Sequence, residues 1–404
     1  MKKLYKQITF NNQVVDILVE EGLIKKIEAN INIQEAEIID CNKGLLLSPF
    51  NDPHIHIDST FTSGEPKFNE TGSLFEGIEI WRQRKVNLTE DDFIKRTDKL
   101  FERYIINGTQ NIRAHIDITG NDVEIVKWAV KQKQKWSNKL NIQLVGFPQD
   151  GILSKPEFKN NLEKGIEYGL DVIGGIPHYE LSTKHGLESI DYLLNIAKKN
   201  NLLVDMHCDE IDDPNSKFLE YLAAKTYDLK MQGKVTASHT TAFARYNNAY
   251  VRKLWGTLEK AKMNFIANPL VNVHLGGRFD KKDPGRGITR VKEILEHKEL
   301  NIAYGHDDVK DPWYPLGDGN MLQVLFMGLH LNHLTGHIQI QESINLITKN
   351  SAKIMRLKDY EIKEGNPANF IIMNENNIFD VIRMIDKVKF NIKDGNIINK
   401  KAIN

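Results

Sequence analysis

Between residues 45 and 308, short runs rich in Ile, Val and Leu alternate with charged, amphipathic stretches, and this rhythm constrains the fold more than any other feature. The runs are "LLLSPFNDPHIH", "TQNIRAHID", "IQLVGFPQ", "DVIGGIPHYE", "LLVDMHCDE", "KVTASHTT", "MNFIANPLVNVH" and "LNIAYGHDD". Between them lie segments such as "EDDFIKRTDKLFERYIIN" and "GLESIDYLLNIAKKN". Strands alternating with helices imply parallel βαβ units. Eight such units predict an α/β fold, a (β/α)8 barrel over residues 49–359. A doubly wound open sheet is the alternative, but no GxGxxG follows any of the strands.

The chain ends differ in texture. Residues 1–48 ("KQITF", "QVVDILVE", "LIKKIEAN") and residues 360–404 ("ANFIIMNE", "VIRMIDKVKFNIKDGNIIN") read as short strands with turn signals. They predict one small composite β domain, a β-sandwich built from both ends. With 404 residues there is length for both units. Lys plus Arg equals Asp plus Glu at 54 each, which gives no electrostatic case for a nucleic acid or an anionic membrane as partner. Only Cys41 and Cys208 occur, so there is no disulfide framework and no CxxC site. The N-terminus lacks a sustained apolar core of the signal-peptide kind, and no run approaches the ~18 apolar residues of a membrane span. A cytoplasmic protein is expected.

The polar ends of the strands carry the chemistry. Strand 1 ends at His54 and His56, strand 3 at Gln149, strand 5 at His207 and Glu210, strand 6 at His239, and strand 8 at His306, Asp307 and Asp308. In a parallel barrel these ends converge on one face, where active sites sit. Residues i and i+2 of a strand point the same way, so His54 and His56 can share one ion. A lone histidine is more often structural; the shared placement at one barrel face is what favours a site. Three imidazoles and a carboxylate suit a divalent transition metal such as Zn²⁺ or Fe²⁺. The chemistry implied is hydrolytic: a bound water with its pKa lowered toward neutrality, and a carboxylate, best supplied by Glu210, to accept and redeliver its proton. Cys208 alternates away from His207 and reads as a small buried packing residue.

The segments "PHIHID", "GSLFEGIEIW", "FPQDGI", "HCDEIDD", "ASHTTA" and "GHDDVKDPWYPLG" resemble the amidohydrolase superfamily, and within it the bacterial cytosine deaminases, between residues 45 and 375. The resemblance implies one divalent metal ion, Fe²⁺ favoured and Zn²⁺ the other common occupant, held by His54, His56, His207 and Asp307. It implies Glu210 as proton shuttle, His239 as a partner of the hydrolytic water, and Gln149 as reader of the pyrimidine edge. Asp308, Trp313 and the backbone carbonyl of Leu74 would complete the pocket. The activity implied is hydrolytic deamination of cytosine to uracil and ammonia, with isocytosine, isoguanine or creatinine as alternative small-ring substrates. A homo-oligomer is implied as well. These roles suit the residues: Gln149 offers a donor and an acceptor for an N1–H and C2=O edge, and Glu210 follows His207 by three positions.

Binuclear relatives bridge their ions with a carboxylated lysine at the end of strand 4. Here that strand ends "GGIPHYE", and the nearest lysine, Lys184, falls in the following loop, so one metal is expected. His178 and His115, both near strand ends, are open between a role at the site and a structural one. His274, His297, His330, His333 and His337 read as ordinary surface or helix residues. Residues 60–81 are expected to form a long loop after strand 1, with Trp81 as packing. The base deaminases with H-x-E and P-C-x-x-C are excluded by the missing cysteine pair. A barrel without activity would predict a broken ligand set, and no ligand is missing.

Overall fold

The computed structural model describes residues 2–120, 123–280 and 287–399. Its central sheet contains β1 (Phe50–His56), β2 (Thr109–Asp117), β3 (Asn141–Phe147), β4 (Val172–Gly175), β5 (Leu203–Cys208), β6 (Val235–His239), β7 (Asn264–Ala267) and β8 (Asn301–Tyr304). All seven adjacent pairs are parallel and in sequence order. Just beyond β8, Asp307 N–H donates to His54 O at 2.8 Å and Asp307 O accepts from His56 N–H at 2.8 Å. These two bonds join the last strand to the first, an arrangement consistent with a (β/α)8 barrel. Every residue of β1 and β2 is buried, as expected for strands covered on both faces.

Helices cover the outside. Glu90–Ile106 shows why they form where they do: the Thr89 hydroxyl accepts the Asp92 N–H at 3.2 Å, and Glu90, Asp91 and Asp92 meet the positive end of the helix. Phe93, Thr97, Leu100, Phe101 and Tyr104 then recur at helical spacing and are buried in the main apolar core.

Local boundaries depart from the sequence reading in four places. Leu46–Leu47 leaves the first run and pairs instead with Phe370–Met373, so β1 starts only at Phe50. "PLVNVH" is a helix, Pro269–Leu275, because Pro269 is pre-set for the first helical turn. Residues 60–81 are a loop only to Ser73, whose side chain accepts the Glu76 N–H at 3.3 Å and starts α1 (Leu74–Lys85). Ile378–Arg383 is helical, not strand, with Asn377 accepting the Asp380 N–H at 3.0 Å.

The chain ends supply two further four-stranded sheets. One has the order Leu23–Glu28, Gln13–Glu20, Lys2–Phe10, Glu37–Asp40; the other, Asn396–Ile397, Val388–Lys393, Phe370–Met373, Leu46–Leu47. One apolar cluster draws on both, including Tyr5, Ile8, Ile17, Phe370, Ile372 and Ile392, with the rings of Tyr5 and Phe370 edge-on at 5.3 Å. Among the described residues no helix is long and apolar enough to cross a membrane.

Candidate active site

His54 and His56 stand at the end of β1, His207 near the end of β5, and Asp307 in the turn after β8. One donor atom from each lies within 4.8 Å of the others, and all four residues are buried. His56 Nε2 is 3.0 Å from His207 Nε2. His54 Nε2 lies 3.3 Å from Asp307 Oδ1, and His56 Nε2 lies 3.6 Å from the same oxygen. His54 Nε2 is buried with no hydrogen-bond partner among the described residues, and such atoms call for an explanation. An orphaned nitrogen, facing imidazoles and one carboxylate on a common point fit a divalent cation.

Electrostatics agree with that donor set. Burial pulls the His56 imidazole down to about 3 and His207 well below its ordinary value, so both keep a free lone pair at neutral pH. Burial acts on His54 in the same sense, but Asp205 and Asp307 outweigh it and hold the group at about 10 in the absence of an ion. Burial would raise Asp307; the His239, His54 and His56 rings instead hold it at about 2, ionised. The backbone is shaped for this: Asp307 has φ 72° and His239 φ 66°, left-handed conformations that bulky residues rarely adopt.

A small cleft opens above this cluster, lined by Leu74, Gln149, Ile176, Glu210, Asp308 and Trp313 together with His56, His207, Asp307 and His239. Glu210, just past β5, places Oε1 3.0 Å from His239 Nδ1. Asn272 Nδ2, from the helix after β7, is 2.9 Å from the same nitrogen. Gln149 is 5% exposed, and among the described residues its carboxamide bonds to no other side chain. Burial and the charges of Asp307 and Asp311 push the Asp308 carboxyl well up. Trp313 packs between Trp81 and His56, each ring centroid 6.5 Å away. Leu74 is the first residue of α1 and lines the cleft.

The structure thus brings the four clustered donors together with Leu74, Gln149, Glu210, His239, Asp308 and Trp313, whereas His306 lies outside the cleft lining, with Nδ1 3.0 Å from Asp308 O and Nε2 accepting the Gly319 N–H at 3.1 Å. It also resolves two open placements. His115 is buried beside the cluster, its ring 4.0 Å from His54 and 4.9 Å from His56. His178 is half-buried in a short 3-10 turn after β4, with both ring nitrogens buried and neither hydrogen-bonded among the described residues. Trp81 is packed as expected, and its Nε1–H donates to Asp117 at 3.0 Å. Sequence reasoning missed Phe147, whose ring stacks on His207 at 4.1 Å, and Asp205, Ser238 and Arg113 beneath His54. Asp205 had a legible signal: it precedes His207 by two residues and so shares its face of the strand.

Comparison with known proteins places these observations. Residues 99–398 match the amidohydrolase family, and the chain belongs to it. Over its whole length it is 38% identical to 5-methylcytosine deaminase from Klebsiella pneumoniae. The crystal structure of that enzyme liganded with phosphonocytosine superposes with a TM-score of 0.94, covering 100% of this chain and 99% of that one. N-isopropylammelide isopropyl amidohydrolase from Pseudomonas sp. (strain ADP) is 26% identical over 406 residues, 97% of this chain and 95% of the relative. Pterin deaminase from Rhizobium rhizogenes is 26% identical over 391 residues, 95% and 88% of the two chains.

Proposed function

We propose that this amidohydrolase hydrolytically deaminates cytosine or a 5-substituted cytosine, releasing ammonia and the corresponding uracil. The observation that carries the reading is the convergence of Gln149, Glu210 and Trp313 on one small cleft directly above the His54, His56, His207 and Asp307 cluster. The full-length likeness to a 5-methylcytosine deaminase supports the same substrate class.

Those four residues would hold a divalent ion, Fe²⁺ first and Zn²⁺ second, which would supply a water of lowered pKa. The remaining work falls to the chain's own groups. Gln149 pairs with the N1–H and C2=O edge, and Trp313 walls the ring. Glu210 takes a proton from the attacking water and delivers it to N3. His239, in contact with Glu210, stabilises the charge that develops on oxygen at C4. The second proton of the water passes from the C4 hydroxyl to the amino nitrogen, the C4–N bond breaks, ammonia leaves, and the oxygen of water remains on C4 as the carbonyl.

The test is ammonia release from cytosine, 5-methylcytosine, isocytosine, isoguanine and creatinine by protein loaded with Fe²⁺ or Zn²⁺. Preference for the cytosines supports the reading. Turnover of another ring alone overturns the substrate assignment while leaving the metal centre in place.

A further inference from the structure

We propose that Asp205, acting through the Ser238 hydroxyl, is a positioning residue that fixes His54 in the tautomer whose Nε2 lone pair faces the metal centre. The inference rests on the metal-centre reading above and assigns residues that lie behind the ligands. Asp205 on β5, Ser238 on β6 and Arg113 on β2 are all fully buried, inside the barrel and under His54.

The tautomer follows from counting protons. Asp205 Oδ2 lies 3.2 Å from Arg113 Nη1, and an aspartate paired with a guanidinium is an acceptor only. Asp205 Oδ1 accepts a short hydrogen bond from the Ser238 hydroxyl. A serine has one hydroxyl proton, and Ser238 has given it to Asp205. Toward His54 it presents lone pairs alone, and His54 Nδ1 is 3.2 Å away. The proton between them therefore belongs to Nδ1, with Asp205 Oδ1 itself 3.6 Å from that nitrogen. A ring that ligates a cation has given up its second proton and carries one N–H, so Nε2 is left with the lone pair. Nε2 is the atom with no hydrogen-bond partner among the described residues, 3.3 Å from Asp307 Oδ1.

Arg113 anchors the arrangement. Its Nε and Nη2 donate to Gln143 Oε1 at 3.1 Å and Ile354 O at 3.0 Å, so Asp205 is held from below and cannot swing away without stranding a buried charge. His115 packs on His54 but both its nitrogens lack partners among the described residues, so it contributes nothing to the tautomer. A second ion on His54, His115 and Asp205, whose donor atoms also lie within 4.8 Å, would have to displace bonds already made by Asp205 and by His54 Nδ1. Carboxylates behind a metal-bound histidine typically change metal affinity 10–100-fold when removed.

The experiment measures Zn²⁺ affinity by competition with a chromophoric chelator, and the visible spectrum of the Co²⁺-loaded protein, for wild type, Ser238→Ala and Asp205→Asn. Wild type should bind one ion per chain. Ser238→Ala should weaken binding by about 10–100-fold and alter the Co²⁺ spectrum, because Nδ1–H loses its acceptor and the ring its orientation. Asp205→Asn should do at least as much, since an amide can donate toward Ser238 and reverse the chain of protons. Should Asp205→Asn fail to fold with Arg113 unpaired, Ser238→Ala decides alone. Wild-type affinity and an unchanged Co²⁺ spectrum in Ser238→Ala would overturn the proposal, as would two ions per chain in wild type. A wild-type protein that binds no ion would instead refute the metal centre itself, and the proposal with it.

Discussion

His239 Nδ1 and Glu210 Oε1 are 3.0 Å apart although the two residues come from the ends of different strands, β6 and β5. The contact sets a carboxylate and an imidazole side by side above the cluster without making either of the four convergent donors. A general acid–base group contributes typically about 10²–10⁴-fold. Glu210→Gln keeps the shape and the reach to His239 but cannot take a proton from water. Deaminase kcat should fall by that amount while metal content, measured by atomic emission, stays at the wild-type level. Parallel loss of metal would show that Glu210 is a ligand and not a shuttle.

Gly77 makes a second contact testable. A Cβ built there would lie 2.5 Å from Trp313 Cδ1 and 2.6 Å from its Nε1, far inside van der Waals contact. Gly77→Ala, mid-helix, is otherwise favourable by about 0.5–1 kcal/mol, so the protein should fold. Trp313 or the first turn of α1 must shift beside the cleft that the ring lines, where a misplacement of about 1 Å can cost up to ~10²-fold. The expected outcome is a lower kcat/KM for the base with unchanged metal content. Unaltered kinetics would remove Trp313 from the wall of the substrate site.

The barrel was legible because its signal repeats: eight apolar runs separated by helical stretches leave few other folds. The cluster was legible because β-structure has period two and a parallel barrel sends all its C-terminal ends one way, so His54, His56, His207 and Asp307 had a reason to meet. Boundaries set by caps were less so. Ser73 and Asn377 start helices through single hydrogen bonds, and Pro269 turns an apolar run into a helix; each outweighs local β propensity. Asn272 reaches His239 from a helix far along the chain, a contact made only by tertiary packing. Asp205 is the instructive omission, since the alternation that pairs His54 with His56 also pairs Asp205 with His207.

Removing the ion has a thermodynamic consequence. The cluster gathers His54, His56, His207 and Asp307 in a buried site, and no such site exists in the unfolded chain. Binding to the native state alone stabilises by about 2.7 kcal/mol when free ion is at ~100 times its Kd. Chelation should therefore lower Tm, and re-addition of Fe²⁺ or Zn²⁺ should restore it in a concentration-dependent way. A Tm indifferent to chelator, with the ion shown to be gone, would contradict a metal held by this cluster.

Glu180 offers a pH prediction away from the metal. It follows the turn after β4, half-buried, with Oε1 accepting the Leu153 N–H at 3.2 Å and Oε2 buried without a partner among the described residues. Burial raises its carboxyl from the ordinary 4.5 to about 7, against the smaller opposing effect of the Leu153 and Ile152 amides and Lys159. The sign is fixed by proton counting: between those two values the folded chain holds a proton that the unfolded chain has lost. Stability contributed by the protonated group is complete below about 4.5 and falls as pH rises through about 7. Glu180→Gln retains the acceptor oxygen and cannot ionise. Its Tm should match wild type near the acid end of this window and exceed it above the upper value, with the difference growing across the interval. A Tm difference that stays constant with pH would mean that Glu180 ionises in the folded protein as it does in the unfolded one, and that the surrounding loop admits water to its carboxylate.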